Sequence, residues 1–189
     1  MFIDYLTLIM INTITGIALL GQFLWKGLDD EAEHRSYAPA FGGVGFLALF
    51  LGLAMSITWP LPGSHNIYFG GATTLFGVVF LVTAFSLNRQ TNLVPTTTLA
   101  FFAGIYALLA GVNMLVVGSA QQPPAAAFAL LLSGLIGVSA APYLMFFKEN
   151  KMLRRVALVA LLLTASMWMI MFVASFWVHL SEFAAWMPK

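Results

Sequence analysis

The sequence predicts an all-α polytopic membrane protein: six transmembrane helices arranged as three hairpins in one bundle. Three observations carry that expectation. Of the 189 residues, 61% are hydrophobic and only 8% are charged, against about 25% charged in water-soluble domains. The apolar residues fall into six runs, each long enough to cross a hydrocarbon core of about 30 Å at about 1.5 Å per residue. The charges also sort by position, since seven of the eight Lys and Arg lie in alternate connections. The connections are too short to hold a soluble domain, so residues 1–189 read as a single transmembrane domain.

The first span is expected over 3–25. Asp4 precedes it and Lys26 follows, the reverse of a secretory signal peptide, so it reads as retained. Asn12, Thr13 and Thr15 lie near its middle. KGLDDEAEHRSYAP then reads as a solvated loop, and Pro39 suits the first turn of the second span, 40–59, where its missing N–H has no helical partner to lose. Gly45, Ala48 and Gly52 give that span a close-packing face, and WPLPGSHN is a rigid turn.

The third span, 67–87, contains no charge. Phe69, Thr73, Phe76, Phe80, Thr83 and Leu87 alternate at spacings of four and three, which makes one face of rings and hydroxyls. Gly70, Thr74 and Gly77 make a second face that lets a neighbouring backbone approach. Pro95 opens the fourth span, 94–117, which carries Ala103, Ala107 and Gly111 one turn apart. After the uncharged turn GSAQQPP, the fifth span, 124–147, carries Ser133, Gly137 and Ala141, and Pro142 should kink its second half. The basic loop KENKMLRR leads into the sixth, 154–180. The positive-inside rule makes the face with Lys26, Arg35, Arg89, Lys148, Lys151, Arg154 and Arg155 cytoplasmic, so in the cell (inner) membrane both termini lie outside.

Chemistry is constrained as strongly as topology. No ionisable residue falls at mid-depth, which disfavours a proton-coupled carrier built on a buried carboxylate and a Ser-His-Asp hydrolase. There is no cysteine, so thiol nucleophiles, iron–sulfur clusters and thiolate zinc sites are excluded. We therefore expect no enzyme, no metal and no cofactor; a net charge of +1 carries no message about nucleic acid, and no nucleic-acid partner is expected. Among His34, His65 and His179, only His65 and His179 share a side; a bis-histidine haem would need that pair opposed. They are candidate pH sensors at an outer mouth, or ordinary interfacial residues. Asn12 must find a hydrogen-bond partner at mid-membrane, either a neighbouring helix or a wet path, and Asn113 is read the same way.

The stretch YFGGATTLFGVVFLVTA, with Tyr68, Gly70, Ala72, Thr73, Leu75, Phe76, Gly77, Phe80 and Ala84, resembles the small six-helix urea and amide channels and the acetate/succinate channels. The resemblance implies that Phe76 and Phe80 stand at a constriction, and that each subunit holds its own pore within a ring of identical subunits. The sequence departs from that pattern where the urea channels place tryptophans on the fifth helix, since here Ser133, Ile136 and Gly137 leave space. The acidic residue of their sixth helix is also missing, as is the asparagine-proline signature of the acetate channels. The Thr-Trp-Pro-Leu-Pro-Gly turn at 58–63 is similar to that of an uncharacterised membrane family.

The expected function is a passive channel or facilitator for a small neutral or weakly acidic solute: an amide, a short-chain acid or ammonia. Its pore would be lined by Phe76, Phe80, Thr73 and Thr83 of the third span, Ser133, Ile136 and Gly137 of the fifth, and Asn12 of the first. Its partners would be membrane lipid, the solute and further copies of the chain. The alternative is a non-catalytic structural or assembly subunit of a larger membrane complex. The direction in which Phe76 and Phe80 face separates the two.

Overall fold

Each apolar run closes its backbone hydrogen bonds within itself, as a segment without access to water must. The computed structural model describes residues 4–117, 124–182 and 184. It contains six helices, each long and apolar enough to cross a membrane: α1 (Tyr5–Gly27), α2 (His34–Thr58), α3 (Asn66–Arg89), α4 (Val94–Val117), α5 (Pro124–Phe147) and α6 (Lys151–Glu182). The start of the first span at residue 3 and the turn 118–123 lie outside the described residues.

Two helices begin earlier than their hydropathy suggests. The second starts at His34, so Pro39 lies in its second turn rather than its first, and half of the expected solvated loop is helical. Aromatic packing explains the extra turns. Phe23 at the end of α1 meets Tyr37 edge-on at 5.4 Å and Phe41 at 5.9 Å, and both belong to the added or adjoining turns of α2. The sixth starts at Lys151 because Asn150 caps it, its Oδ1 accepting from the Met152 and Leu153 amides at 3.0 Å. Asp4 caps α1 in the same way, through the Thr7 amide at 3.2 Å.

Three helices contain a π turn: Phe23–Gly27 ends α1, Asn66–Gly71 opens α3 and Tyr143–Phe147 ends α5. The last follows Pro142, which cannot donate to the ladder, and it is there that the hydrogen-bond pattern of α5 slips to the wider spacing. Between α2 and α3 the proline-rich turn is held by Asn66, which is fully buried. Its amide accepts from the Leu61 N–H at 3.1 Å and donates to the Leu61 carbonyl at 2.5 Å.

The helices form a ring in sequence order, with α6 returning to α1. The three closest pairs are α2 with α3, α4 with α5, and α1 with α6. The expected hairpins across the charged connections, α1 with α2, α3 with α4 and α5 with α6, are neighbours in the ring but not its closest pairs. Glycine decides the matter: a Cβ on Gly52 would lie 2.5 Å from the Thr74 nitrogen and one on Gly45 2.6 Å from the Leu81 nitrogen, so α2 and α3 touch backbone to backbone. On the next pair, a Cβ on Gly104 would lie 2.6 Å from the Val138 nitrogen.

The charged connections meet at one end of the bundle. Arg154 binds Asp29 through both carboxylate oxygens, one at 2.8 Å, and Gln90 donates to the Glu31 carbonyl at 3.0 Å. The arginine partner holds the Asp29 carboxyl below its ordinary range. At the opposite end His179 meets Asp4 at 2.8 Å.

Two glycine substitutions test the pairing. Gly77→Leu drives a side chain into the Leu49 backbone and is expected to cost about 3 kcal/mol or more. Gly43→Ala meets nothing within 4 Å and is expected to stabilise by about 0.5–1 kcal/mol. Thermal unfolding in detergent reads both, and equal effects would refute glycine-set pairing.

Candidate functional site

Pairing the helices two by two leaves a space among the three pairs. It is a cavity of about 210 Å³ with residues from all six helices on its wall. It runs along α3 from Phe69 to Thr83, along α4 from Thr96 to Ala107 and along α5 from Leu130 to Leu144, close to 20 Å on α3 and α5 by helical rise. The π turns furnish its ends: Phe69 stands at one, Phe23 and Leu144 at the other.

Rings form one side of the slot. Phe76 and Phe80 lie 4.1 Å apart between centroids, and Phe80 continues onto Phe41 in a stacked contact at 5.1 Å. Phe80 is pinned between these neighbours and is only 5% exposed, whereas Phe76 keeps a free flank on the cavity. The tip of Phe76 rests on Gly16, where a Cβ would come within 2.5 Å of it. At the Phe69 end, Trp168 of α6 meets Phe69 edge-on at 6.5 Å, and its indole N–H donates to the Ser133 hydroxyl at 3.0 Å.

The wall includes no charged or titratable side chain. Its hydroxyls are mostly spent on their own helices. Thr13 donates to the Ile9 carbonyl at 2.8 Å, Thr83 to Val79 at 2.7 Å, Thr97 to Val94 at 2.7 Å and Ser133 to Ala129 at 2.7 Å. Thr96 pairs with Ser86 at 3.2 Å. Each of the first four therefore offers the cavity acceptor lone pairs and no free proton. Among the described residues no group of His, Cys, Asp and Glu could hold a metal ion.

Of the residues singled out from sequence, Phe76, Phe80, Thr73, Thr83, Ser133, Ile136 and Gly137 all line this one cavity. Asn12 does not: its amide donates to the Val44 carbonyl at 3.0 Å, so it ties α1 to α2. His65 sits in the turn, with Nδ1 2.8 Å from the Pro62 carbonyl, and His179 sits with Asp4; neither reaches the cavity. Asn113 accepts from the Tyr68 hydroxyl at 2.5 Å, bracing α4 against α3.

Two expectations about the fifth helix change. Gly137 borders the cavity, but a Cβ there would point at α4, 2.8 Å from the Ala100 carbonyl oxygen, so the missing side chain serves helix contact rather than pore width. The space opposite the rings is also not empty of indole, because α6 supplies Trp168 from another direction. Sequence reasoning missed Phe23, Phe41, Thr96, Thr97 and Trp168. Trp168 stands alone as an indole at mid-span, a signal available in the sequence.

A family model described as protein of unknown function (DUF981) matches residues 1–182. The chain belongs to the DUF981 family. No curated protein and no solved structure matches it. In this DUF981 protein, the ends of the ring are locked by polar pairs while the cavity between them is left to apolar groups and hydroxyls.

The Asp4–His179 pair carries a pH signature. Partial burial pushes the Asp4 carboxyl up, but hydrogen bonds from Thr7 and His179 outweigh it and hold the group below its ordinary value of 3.8. A lowered carboxyl contributes stability above that value and loses it as pH falls through the folded one. Asp4→Asn keeps the helix cap and removes the charge. Its deficit in thermal stability against the parent is expected to be present at about pH 5 and to vanish well below pH 3.8. A deficit that grows as pH falls below about 5 would contradict this account.

Proposed function

We propose that this protein is a passive channel or facilitator for a small neutral or weakly acidic solute, such as an amide, a protonated short-chain acid or ammonia. It would lie in the cell (inner) membrane, its charged connections cytoplasmic and both termini outside, and copies of the chain would associate with each other. The observation that carries the reading is the uncharged cavity lined by residues of all six helices of one chain, with Phe76 and Phe80 on its wall.

The physical argument is one of desolvation. An ion entering this slot would give up its hydration and meet no opposite charge, a cost far beyond what scattered hydroxyls return. A neutral molecule gives up much less. The volume is several times the roughly 30 Å³ share of one water, so a solute of a few heavy atoms fits. The stacked rings restrict the width, and hydroxyl lone pairs along the wall supply weak, spaced sites from which a solute can leave. With no titratable group on the wall, the site has no general base or nucleophile to offer, so we propose no enzymatic activity.

Proteoliposome swelling with a panel of small amides, short acids and ammonium tests the reading. Phe76→Ala, which trims a ring from the cavity flank, is expected to raise flux several-fold and weaken size discrimination. Ala103→Trp, which fills the slot from α4, should bring flux to that of empty liposomes. Well-folded variants that leave flux unchanged would favour the assembly-subunit role instead.

Sidedness is read separately, because the chain has no cysteine of its own. Thiols introduced at Ser36 and Asn150 are expected to resist an impermeant reagent added outside whole cells. Ready labelling of either reverses the proposed orientation.

A further inference from the structure

One hydroxyl in the cavity differs from the rest. Thr73 is 6% exposed and lines the cavity, yet no hydrogen bond engages its side chain among the described residues. A threonine within a helix ordinarily turns its proton back to the carbonyl four residues earlier. Thr73 does not, whereas its neighbour Thr74 donates to the Gly70 carbonyl at 2.8 Å, and Thr83 and Thr97 also bond back to their own helices. Among the described residues Thr73 is thus the cavity hydroxyl with both its proton and its lone pairs free. A hydroxyl left free on the wall of a cavity can pair with a polar group of a molecule that enters it.

We infer that Thr73 is the polar anchor of a solute-binding site in the half of the cavity nearer the Asp4–His179 end, and that the site selects neutral solutes with one carbonyl head and an apolar body over polyfunctional ones such as urea. The inference rests on the solute-conducting reading and narrows it to a substrate class. The Thr73 proton serves one carbonyl oxygen. Ser133, across the cavity on α5, accepts from Trp168 and donates to Ala129, which leaves it a lone pair for one N–H or acid O–H of the same head group. Phe69, Phe76 and Trp168 receive the apolar remainder. Acetamide and urea make the contrast clean, because they match in size and differ by a methyl against a second amino group. That second amino group would face rings and aliphatic side chains, and each N–H left unpaired there is penalised.

The test uses the full-length protein with Thr73 unchanged, as Thr73→Val and as Thr73→Ser. Flux of acetamide and urea is measured in proteoliposomes, and the shift in Tm by acetamide is measured in detergent. We expect flux of acetamide to exceed that of urea by about tenfold in the parent and in Thr73→Ser. In Thr73→Val, acetamide flux and the Tm shift per unit acetamide should fall about 2–10-fold, with the unliganded Tm unchanged or raised, because valine removes an unpaired hydroxyl at constant shape. Equal flux and equal Tm shift in Thr73→Val overturn the anchor while leaving a conducting cavity in place. A Thr73-dependent Tm shift in a protein that conducts nothing sustains the anchor and overturns the conducting reading. Absence of both flux and shift in the parent overturns both.

Discussion

Contact between backbones at glycine is the constraint from which the rest of this structure follows. Apolar side chains gain nothing by leaving lipid for one another, so helices in that setting associate through close packing. At Gly45, Gly52 and Gly77 between α2 and α3, and at Gly104, Gly134 and Gly137 between α4 and α5, there is no room for even one carbon more. Those two pairs are slabs of fixed thickness. The third pair, α1 with α6, closes the ring and is braced at its end by Asp4 and His179.

A cavity is the geometric remainder of such pairing. Residues pulled into the pair interfaces cannot also fill the centre, and the side chains left to face inward are those on the flanks of each pair. On α3 these are Phe76, Phe80, Thr73 and Thr83, one face round from the glycines. Most hydroxyls on this wall turn to their own carbonyls, which makes much of the interior close to hydrocarbon in character although several of its residues are nominally polar. Polar bonding is concentrated where the helices end: Asp29 with Arg154, Glu31 with Gln90, Asn66 within its turn, Tyr68 with Asn113. An exposed ion pair such as Asp29–Arg154 contributes about 0–1 kcal/mol, so its role is to keep two connections side by side rather than to hold the bundle together.

The π turns join the frame to the cavity. Each one widens the backbone by a residue where a helix enters or leaves the central space, and each sets a large side chain at a cavity end: Phe23, Phe69 and Leu144.

The sequence by itself determined the six helices, because a run of about twenty apolar residues has few other ways to satisfy its backbone. It also determined the face of α3 that carries rings and hydroxyls, because helical spacing is local. Tertiary structure alone decided which helices pair, since several spans carry small-residue faces and only their depth and register in the ring select partners. It decided that Asn12 bonds to Val44 rather than facing the cavity, because a side chain's partner lies on another helix. It decided that Gly137 serves contact and not space, and that the indole at the cavity comes from α6, since a direction in three dimensions is absent from a one-dimensional pattern. Hydropathy also stopped α2 six residues short. The rings of Phe23, Tyr37 and Phe41 hold those turns against α1, and that interaction spans a charged loop that no local pattern crosses.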